Sequence, residues 1–310
     1  MGVHIKMDNK EIKGPDFLVI GLQKCGTYWI TGLLNNHPEI NCVPSLPQGQ
    51  DGILEGHIFD NLKSIDDDGG KHFCEVFSRV HNGFFSDLVP MLEKLPRHKF
   101  YDLMKERYIA YCNQFRTKRL FGEKTTEYVW CLDIIDYFFS DIKKLCILRD
   151  VKDRIVSWHF HQVRKKRIPE AQAETVSDEL IADYCKRVKR EYGSLLLYHN
   201  NIHCFSYEDM KHEPKKVVKE ILSYLDADVS EEIINELIEK ASFGSLTKVS
   251  KVGGDYERKV GQELRTSHFR KGVVGDWKNY LKEYQLVYIR EQLKELQDKI
   301  NQKFGFNLEI

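Results

Sequence analysis

The sequence lacks an excess of charge of either sign. Its 310 residues include 47 Lys plus Arg and 47 Asp plus Glu, so the formal net charge is zero. Proteins that bind nucleic acid or an anionic membrane over a broad surface usually carry a basic excess. We therefore expect neither a nucleic-acid partner nor a membrane partner.

Long apolar runs are absent as well. No stretch approaches the roughly 20 apolar residues that a membrane-spanning helix requires. Hydrophobic residues make up 42% of the chain and charged residues 30%, which is typical of a globular protein. The polar segment 1–16 reads as an N-terminal tail without a signal-peptide apolar region, and we expect a single domain over 17–310.

Paired cysteine motifs are also missing. None of the eight cysteines forms a C-x-x-C pair, which argues against a zinc ribbon or a dithiol motif. Several lie in apolar stretches, where buried reduced thiols are the common case. Reduced thiols without an apolar leader predict a cytoplasmic location.

Apolar runs and amphipathic segments alternate along the chain. Strands are predicted at 17–21, 120–123, 144–149 and 202–206, with helices at 28–36, 100–116, 153–167, 178–198, 214–225, 230–241 and 282–304. Region 44–99 reads as loops and short helices. The alternation predicts an α/β domain, with a central parallel sheet flanked by helices and a P-loop-like strand–loop–helix at its start.

The loop between the first strand and the first helix reads GLQKCGT over 21–27. Backbone N–H groups at such a loop and helix N-terminus bind anions. Gly21 and Gly26 have the Walker spacing, but Thr27 and Tyr28 replace the Lys and the Mg²⁺-binding hydroxyl that this motif requires. Lys24 lies inside the loop instead, which favours transfer of an anion of lower charge without a metal. A simple connecting turn and a P-loop kinase or NTPase are the alternatives.

Five segments in chain order carry a family resemblance. They read FLVIGLQKCGT (17–27), GEKTTEY (122–128), LCILRDVKDRIVS (145–157), YEDM (207–210) and FRKGVVGDWKN (269–279). Together they resemble sulfotransferases that use 3′-phosphoadenosine-5′-phosphosulfate (PAPS). The N-terminal half is similar to the heparan-type and bacterial branch, whereas the last segment is similar to the cytosolic small-molecule branch.

The resemblance implies PAPS as co-substrate and assigns its binding to specific positions. Lys24 would contact the 5′-phosphosulfate, and Arg149 and Ser157 would bind the 3′-phosphate. The other implied nucleotide-binding residues are Cys25, Gly26, Thr27, Tyr28 and Trp29 in the loop and first helix, Tyr207, Ser242 and Phe243 near the adenine, and Arg270, Lys271 and Gly272 over the 3′-phosphate.

Three positions depart from the family pattern. Gln23 stands where a Pro usually precedes the lysine, Tyr28 where a second Thr is common, and Val151 where a Pro is common. The dimerisation motif of the cytosolic branch is not present after Lys278. The sequence therefore leaves the oligomeric state open.

Sulfuryl transfer needs a cation for the leaving phosphate and a base for the acceptor proton. Lys24 is the predicted cation. Glu123 is the predicted base, because it holds the place of the Glu in the E-K-[TS] motif of the heparan-type branch; His57 and His81 are alternatives. We expect a small-molecule alcohol or phenol as acceptor. A carbohydrate acceptor and a nucleotide-binding module without catalysis remain open.

Overall fold

The computed structural model describes residues 13–43, 56–68, 70–71, 73–74, 84–241 and 271–309. Five strands form one sheet in the order β2-β3-β1-β4-β5, and every neighbouring pair is parallel. The strands are β1 (Phe17–Val19), β2 (Ile40–Val43), β3 (Leu120–Lys124), β4 (Lys143–Leu148) and β5 (Ile202–Ser206). The predicted parallel α/β sheet is therefore confirmed.

Ten α-helices of the described residues connect and cover these strands. They are α1 (Thr27–Asn36), α2 (Ile58–Asp68), α3 (Arg97–Phe115), α4 (Leu132–Phe138), α5 (Val151–Arg164), α6 (Asp178–Leu197), α7 (Tyr207–His212), α8 (Pro214–Tyr224), α9 (Glu231–Lys240) and α10 (Glu283–Phe304). Within the same residues, no helix is long and apolar enough to cross a membrane.

Strand β1 lies at the centre of the sheet and is fully buried. Such a strand reads as a continuous apolar run because both of its faces are covered. It ends at Val19, two residues before the predicted end, and the phosphate loop follows, starting from Gly21 with a φ of 136°. This short strand therefore delivers the loop to the carboxyl edge of the sheet, where α/β proteins bind ligands.

The sequence analysis missed one strand near the site and gave no bounds for one helix. Strand β2 has only four residues, which alternate between buried and half-buried positions, so its pattern is too short to be distinctive. Region 44–99, predicted as loops and short helices, includes the eleven-residue helix α2. All eight cysteines lie among the described residues, and none forms a disulfide.

Candidate active site

The phosphate loop is shaped by a glycine at the start of α1. Gly26 has a φ of 93°, which side-chain-bearing residues rarely adopt. A Cβ at this position would lie 3.0 Å from the ring of Tyr207, so the ring would have to shift by a few tenths of an ångström. Gly26 therefore lets the loop turn into the helix while its backbone packs against an aromatic ring from α7.

Lys24 also has a left-handed backbone, with a φ of 66°. Non-glycine residues in this conformation are uncommon and concentrate at functional sites. The side chain is half-buried, and the Lys24 carbonyl oxygen accepts a hydrogen bond of 3.1 Å from Arg149 Nη1. The predicted 5′-phosphosulfate residue and the predicted 3′-phosphate residue are thus in direct contact.

Arg149 lies at the centre of the contacts around the phosphate loop. It is only 7% exposed, and its guanidinium lies 4.2 Å from the centre of the Tyr207 ring. Its Nη2 donates to the Val273 carbonyl at 3.1 Å and lies 3.7 Å from the Asp153 carboxylate. Its Nε is buried and has no hydrogen-bond partner within the described part of the chain. A buried donor of this kind fits an anionic ligand.

The C-terminal motif is attached to the start of α5. Asp153 accepts hydrogen bonds from the backbone N–H groups of Gly275 at 2.7 Å and Trp277 at 3.1 Å. These bonds hold the 271–277 segment beside Arg149. The Lys271 ammonium contacts Asp276 and Tyr280, each at 3.1 Å, while Gly272 takes a φ of 66°.

The other residues predicted to bind the nucleotide lie in the loop, on α1 and α5, or outside the described residues. Cys25 and Thr27 are buried in the loop, where burial raises the pKa of the Cys25 thiol to about 12. Trp29 is half-buried on α1, and Ser157 is half-buried on α5. Ser242, Phe243 and Arg270, together with the alternative base His81, lie outside the described residues.

Glu123 lies near the end of β3 on the opposite side of the strand from Lys124. It is 1% exposed, and its carboxylate accepts hydrogen bonds from the hydroxyls of Tyr108, Tyr128 and Thr125. Burial raises the pKa of Glu123, although the three hydroxyl donors act in the opposite direction. A raised pKa suits a general base that works near neutral pH.

Lys124 faces the phosphate loop. Its side chain is fully buried, and its ammonium lies 4.2 Å from the centre of the Tyr28 ring. The alternation of side chains along a strand predicts that Glu123 and Lys124 point to opposite faces, and the structure confirms this. The contact with Tyr28 depends on the packing of α1, which the sequence alone did not reveal.

His57 approaches the same strand end from the segment before α2. Its backbone N–H donates to Thr125 Oγ1 at 3.2 Å, and its Nδ1 lies 2.7 Å from Asp60 Oδ2. The side chain is 39% exposed, far more than that of Glu123. The sequence analysis missed Asp60, although the three-residue spacing at a helix start is a signal that could have identified the pair.

The neighbouring Gly56 packs directly on the Glu123 carboxylate. A Cβ at Gly56 would lie 1.6 Å from Glu123 Oε1, so any side chain there would displace the Glu123 carboxylate. No cluster of three or more His, Cys, Asp or Glu residues able to hold a metal occurs among the residues described. The groups that the structure describes at this strand end are a carboxylate, an imidazole, hydroxyls and an ammonium.

Comparisons with known proteins identify the family of the chain. A family model described as "Sulfotransferase domain" matches residues 14–301. The chain belongs to the sulfotransferase family. The resemblance drawn from the five sequence segments is thereby confirmed.

Individual sulfotransferases match the chain over different lengths. Sulfotransferase 1 family member D1 of Rattus norvegicus is 28% identical over 184 residues, which cover 54% of this chain and 59% of that protein. Cytosolic sulfotransferase 6 of Arabidopsis thaliana is 30% identical over 159 residues, which cover 46% of this chain and 47% of that protein. The chain thus matches about half the length of these relatives.

A solved structure extends the likeness to nearly the whole chain. Mouse sulfotransferase SULT7A1 complexed with PAP superposes with a TM-score of 0.56 and covers 93% of this chain and 85% of that chain. The sequence identity is 16%, so this likeness establishes the shared fold.

Proposed function

We propose that this sulfotransferase-family protein transfers the sulfuryl group of PAPS to a hydroxyl group of an acceptor. The observation that carries the proposal is the placement of Arg149, which lies against Lys24, Tyr207 and the C-terminal motif. Its buried Nε has no hydrogen-bond partner among the described residues. A buried guanidinium beside the N-terminus of α1 suits a nucleotide with phosphate groups at the 3′ and 5′ positions of its ribose.

In this reaction the bond between sulfur and the phosphate oxygen breaks, and a bond between sulfur and the acceptor oxygen forms. Negative charge develops on the departing phosphate oxygen. Lys24 and the backbone N–H groups at the start of α1 are proposed to stabilise that charge, because preorganised donors stabilise a transition state without reorganising. The acceptor hydroxyl gives its proton to a base at the β3 end.

Two residues are candidates for that base. Glu123 remains our proposal, since burial raises its pKa and its carboxylate is held by three hydroxyl groups. The second candidate is His57, because its partner Asp60 lies 2.7 Å from Nδ1 and its side chain is more exposed to an incoming acceptor. A carboxylate that orients an imidazole is a recurring arrangement in general-base catalysis.

The acceptor is proposed to be a small-molecule alcohol or phenol, with a carbohydrate as the alternative. We also propose a cytosolic location. The name of the Arabidopsis relative and the absence of disulfides among the eight cysteines support it.

Calorimetric titration with 3′,5′-adenosine bisphosphate (PAP) in the presence of EDTA tests the nucleotide site. We expect binding of PAP without a metal, much weaker binding of ATP, and transfer from labelled PAPS to a member of a phenol and alcohol panel. Metal-dependent binding selective for ATP would instead support a P-loop kinase or NTPase. Binding of PAP without transfer to any acceptor would support a binding module.

A further inference from the structure

Two buried side chains contact the backbone of the phosphate loop at Gln23. The Gln23 carbonyl oxygen accepts hydrogen bonds from Arg154 Nε and from the Tyr184 hydroxyl, both at 3.3 Å. Arg154 is on α5 and Tyr184 on α6, so two helices converge on the residue before Lys24. The backbone that presents Lys24 is therefore fixed by groups distant in sequence.

Arg154 is itself held by a carboxylate. Its Nη2 pairs with Glu191 Oε2, and both side chains are fully buried. The other Glu191 oxygen accepts a hydrogen bond of 3.0 Å from Arg187 Nε. A fully buried charge pair is costly unless its geometry is good, and it fixes orientation more reliably than it adds stability.

The Gln23 side chain extends the connection towards β3. Its Nε2 donates to Glu127 Oε1 at 3.0 Å, and Arg187 Nη2 lies 3.7 Å from the same oxygen. Glu127 follows the end of β3 by three residues. Gln23, Arg154, Glu191, Arg187 and Glu127 thus form a closed circuit of contacts, which we name the contact ring.

We propose that the contact ring positions Lys24 relative to the end of β3, so that its members are positioning residues for sulfuryl transfer. The inference rests on the proposed function. One side of the ring is the carbonyl next to Lys24, and the other is the turn that follows Glu123 and Lys124. The ring therefore joins two halves of the site. The donor half holds Lys24 and Arg149, and the acceptor half holds Glu123.

The departure at position 23 supports this role. A proline, as is usual in the family at this position, would restrict the backbone by its own ring and carry no side-chain donor. Gln23 supplies instead a side-chain tether to Glu127. The loop of this protein is thus fixed by a hydrogen bond that a substitution can remove without altering the backbone carbonyl.

The decisive variant is Gln23→Met, which keeps the size of the side chain and the carbonyl that Arg154 and Tyr184 contact. We expect kcat to fall about tenfold to 10²-fold, since small misplacements of reacting groups are costly, while the Kd for PAP changes less than threefold. The matched control is Lys189→Met, which removes the 2.8 Å hydrogen bond from α6 to Gln292, away from the loop. It should leave both constants unchanged.

A double-mutant cycle with Glu127→Leu provides the second measurement. Gln23→Met and Glu127→Leu break the same hydrogen bond, so their effects on kcat should be strongly non-additive. Additive effects, or a lowered melting temperature with unchanged kcat in Gln23→Met, would overturn the proposal and leave the ring a purely stabilising feature.

Hydrogen exchange separates this proposal from the function on which it rests. We expect the amides of 24–27 to exchange faster in Gln23→Met than in the wild-type protein, a readout that needs no substrate. If the wild-type protein neither binds PAP nor transfers sulfuryl groups, the proposed function fails. If the wild type transfers and the variant matches it in kcat and in exchange, only the ring fails.

Discussion

The two halves of the site are built in different ways. In the donor half, the phosphate loop keeps its glycine, its lysine and its backbone N–H groups next to one another in sequence. The acceptor half gathers its groups from afar, because Glu123 is bonded by Tyr108 from α3 and covered by Gly56 from the segment before α2. A sequence motif therefore specifies the phosphate loop, whereas only the folded chain assembles the acceptor half.

A large effect is expected in the donor half. Lys24→Ala removes the cation proposed for the leaving phosphate, and kcat should fall by about 10²-fold or more. Single-turnover transfer from labelled PAPS measures it. Lys186→Ala is a suitable control, because that lysine is 77% exposed and pairs with Asp183 on the surface of α6. A loss below threefold for Lys24→Ala would show that the charge is stabilised elsewhere.

Glu123→Gln tests the acceptor half. As the base, Glu123 should contribute about 10²-fold to 10⁴-fold, so kcat should fall by that factor. Its raised pKa should also set the acid limb of the kcat/KM profile above 4.5, the ordinary value for this group. If the variant keeps its activity while His57→Asn and Asp60→Asn lose it, the base is His57.

The same variant has an expected effect on stability. Because burial raises the pKa of Glu123 in the folded state, that state binds the proton more tightly, and stability declines as pH rises from 4.5 through the folded pKa. Gln carries no charge to bury, and the Tyr108 hydroxyl can rotate to accept from its amide. Glu123→Gln should therefore unfold at a higher urea concentration than wild type at pH 7, and at a similar one near pH 4. A lower midpoint at pH 7 would contradict this.

A smaller effect is expected at the loop glycine. Gly26→Ala forces a side chain into a left-handed conformation and against the Tyr207 ring, which should cost about 1–3 kcal/mol of stability and weaken PAP binding. Gly193→Ala on α6 is the matched control, since a Cβ there meets nothing within 4 Å. In a helix this change should stabilise by about 0.5–1 kcal/mol. Urea unfolding and calorimetry measure both, and equal effects of the two changes would refute the argument.

The smallest effect is expected where the halves touch. Tyr28→Thr removes the ring beside the Lys124 ammonium, a contact worth about 0.5–2 kcal/mol. We expect a modest loss of thermal stability together with a change in KM for the acceptor of less than tenfold, because the ring lies next to the loop. A rise in melting temperature would show that the contact is unfavourable.

Local patterns predicted much of the fold. The strand at 202–206 agrees with β5, and the loop with Lys24 and Gly26 was recognised from its spacing. The strand and the loop could both be predicted because each is encoded by residues adjacent in sequence. Arg149 was singled out by the family resemblance of its segment, and the structure places it directly after β4.

The unpredicted part of the site depends on tertiary contacts. Tyr108 and Tyr184 lie on helices whose polar and apolar residues do not reveal which hydroxyl will reach a carboxylate or a carbonyl. Arg154 reads in sequence as one more charge on an amphipathic helix, yet it is fully buried with Glu191. Such pairings arise from helix packing, and no periodicity in a single sequence encodes them.

The central place of β1 has a consequence for biosynthesis. Phe17 pairs with Gly122 on one side and with Lys143 on the other. During translation β1 therefore leaves the ribosome long before β3 and β4 are synthesised. Until then the hydrogen-bonding groups on both of its edges have no strand to pair with. Parallel pairing over such separations is slow, so nascent chains that end before β3 should need chaperones to stay out of aggregates.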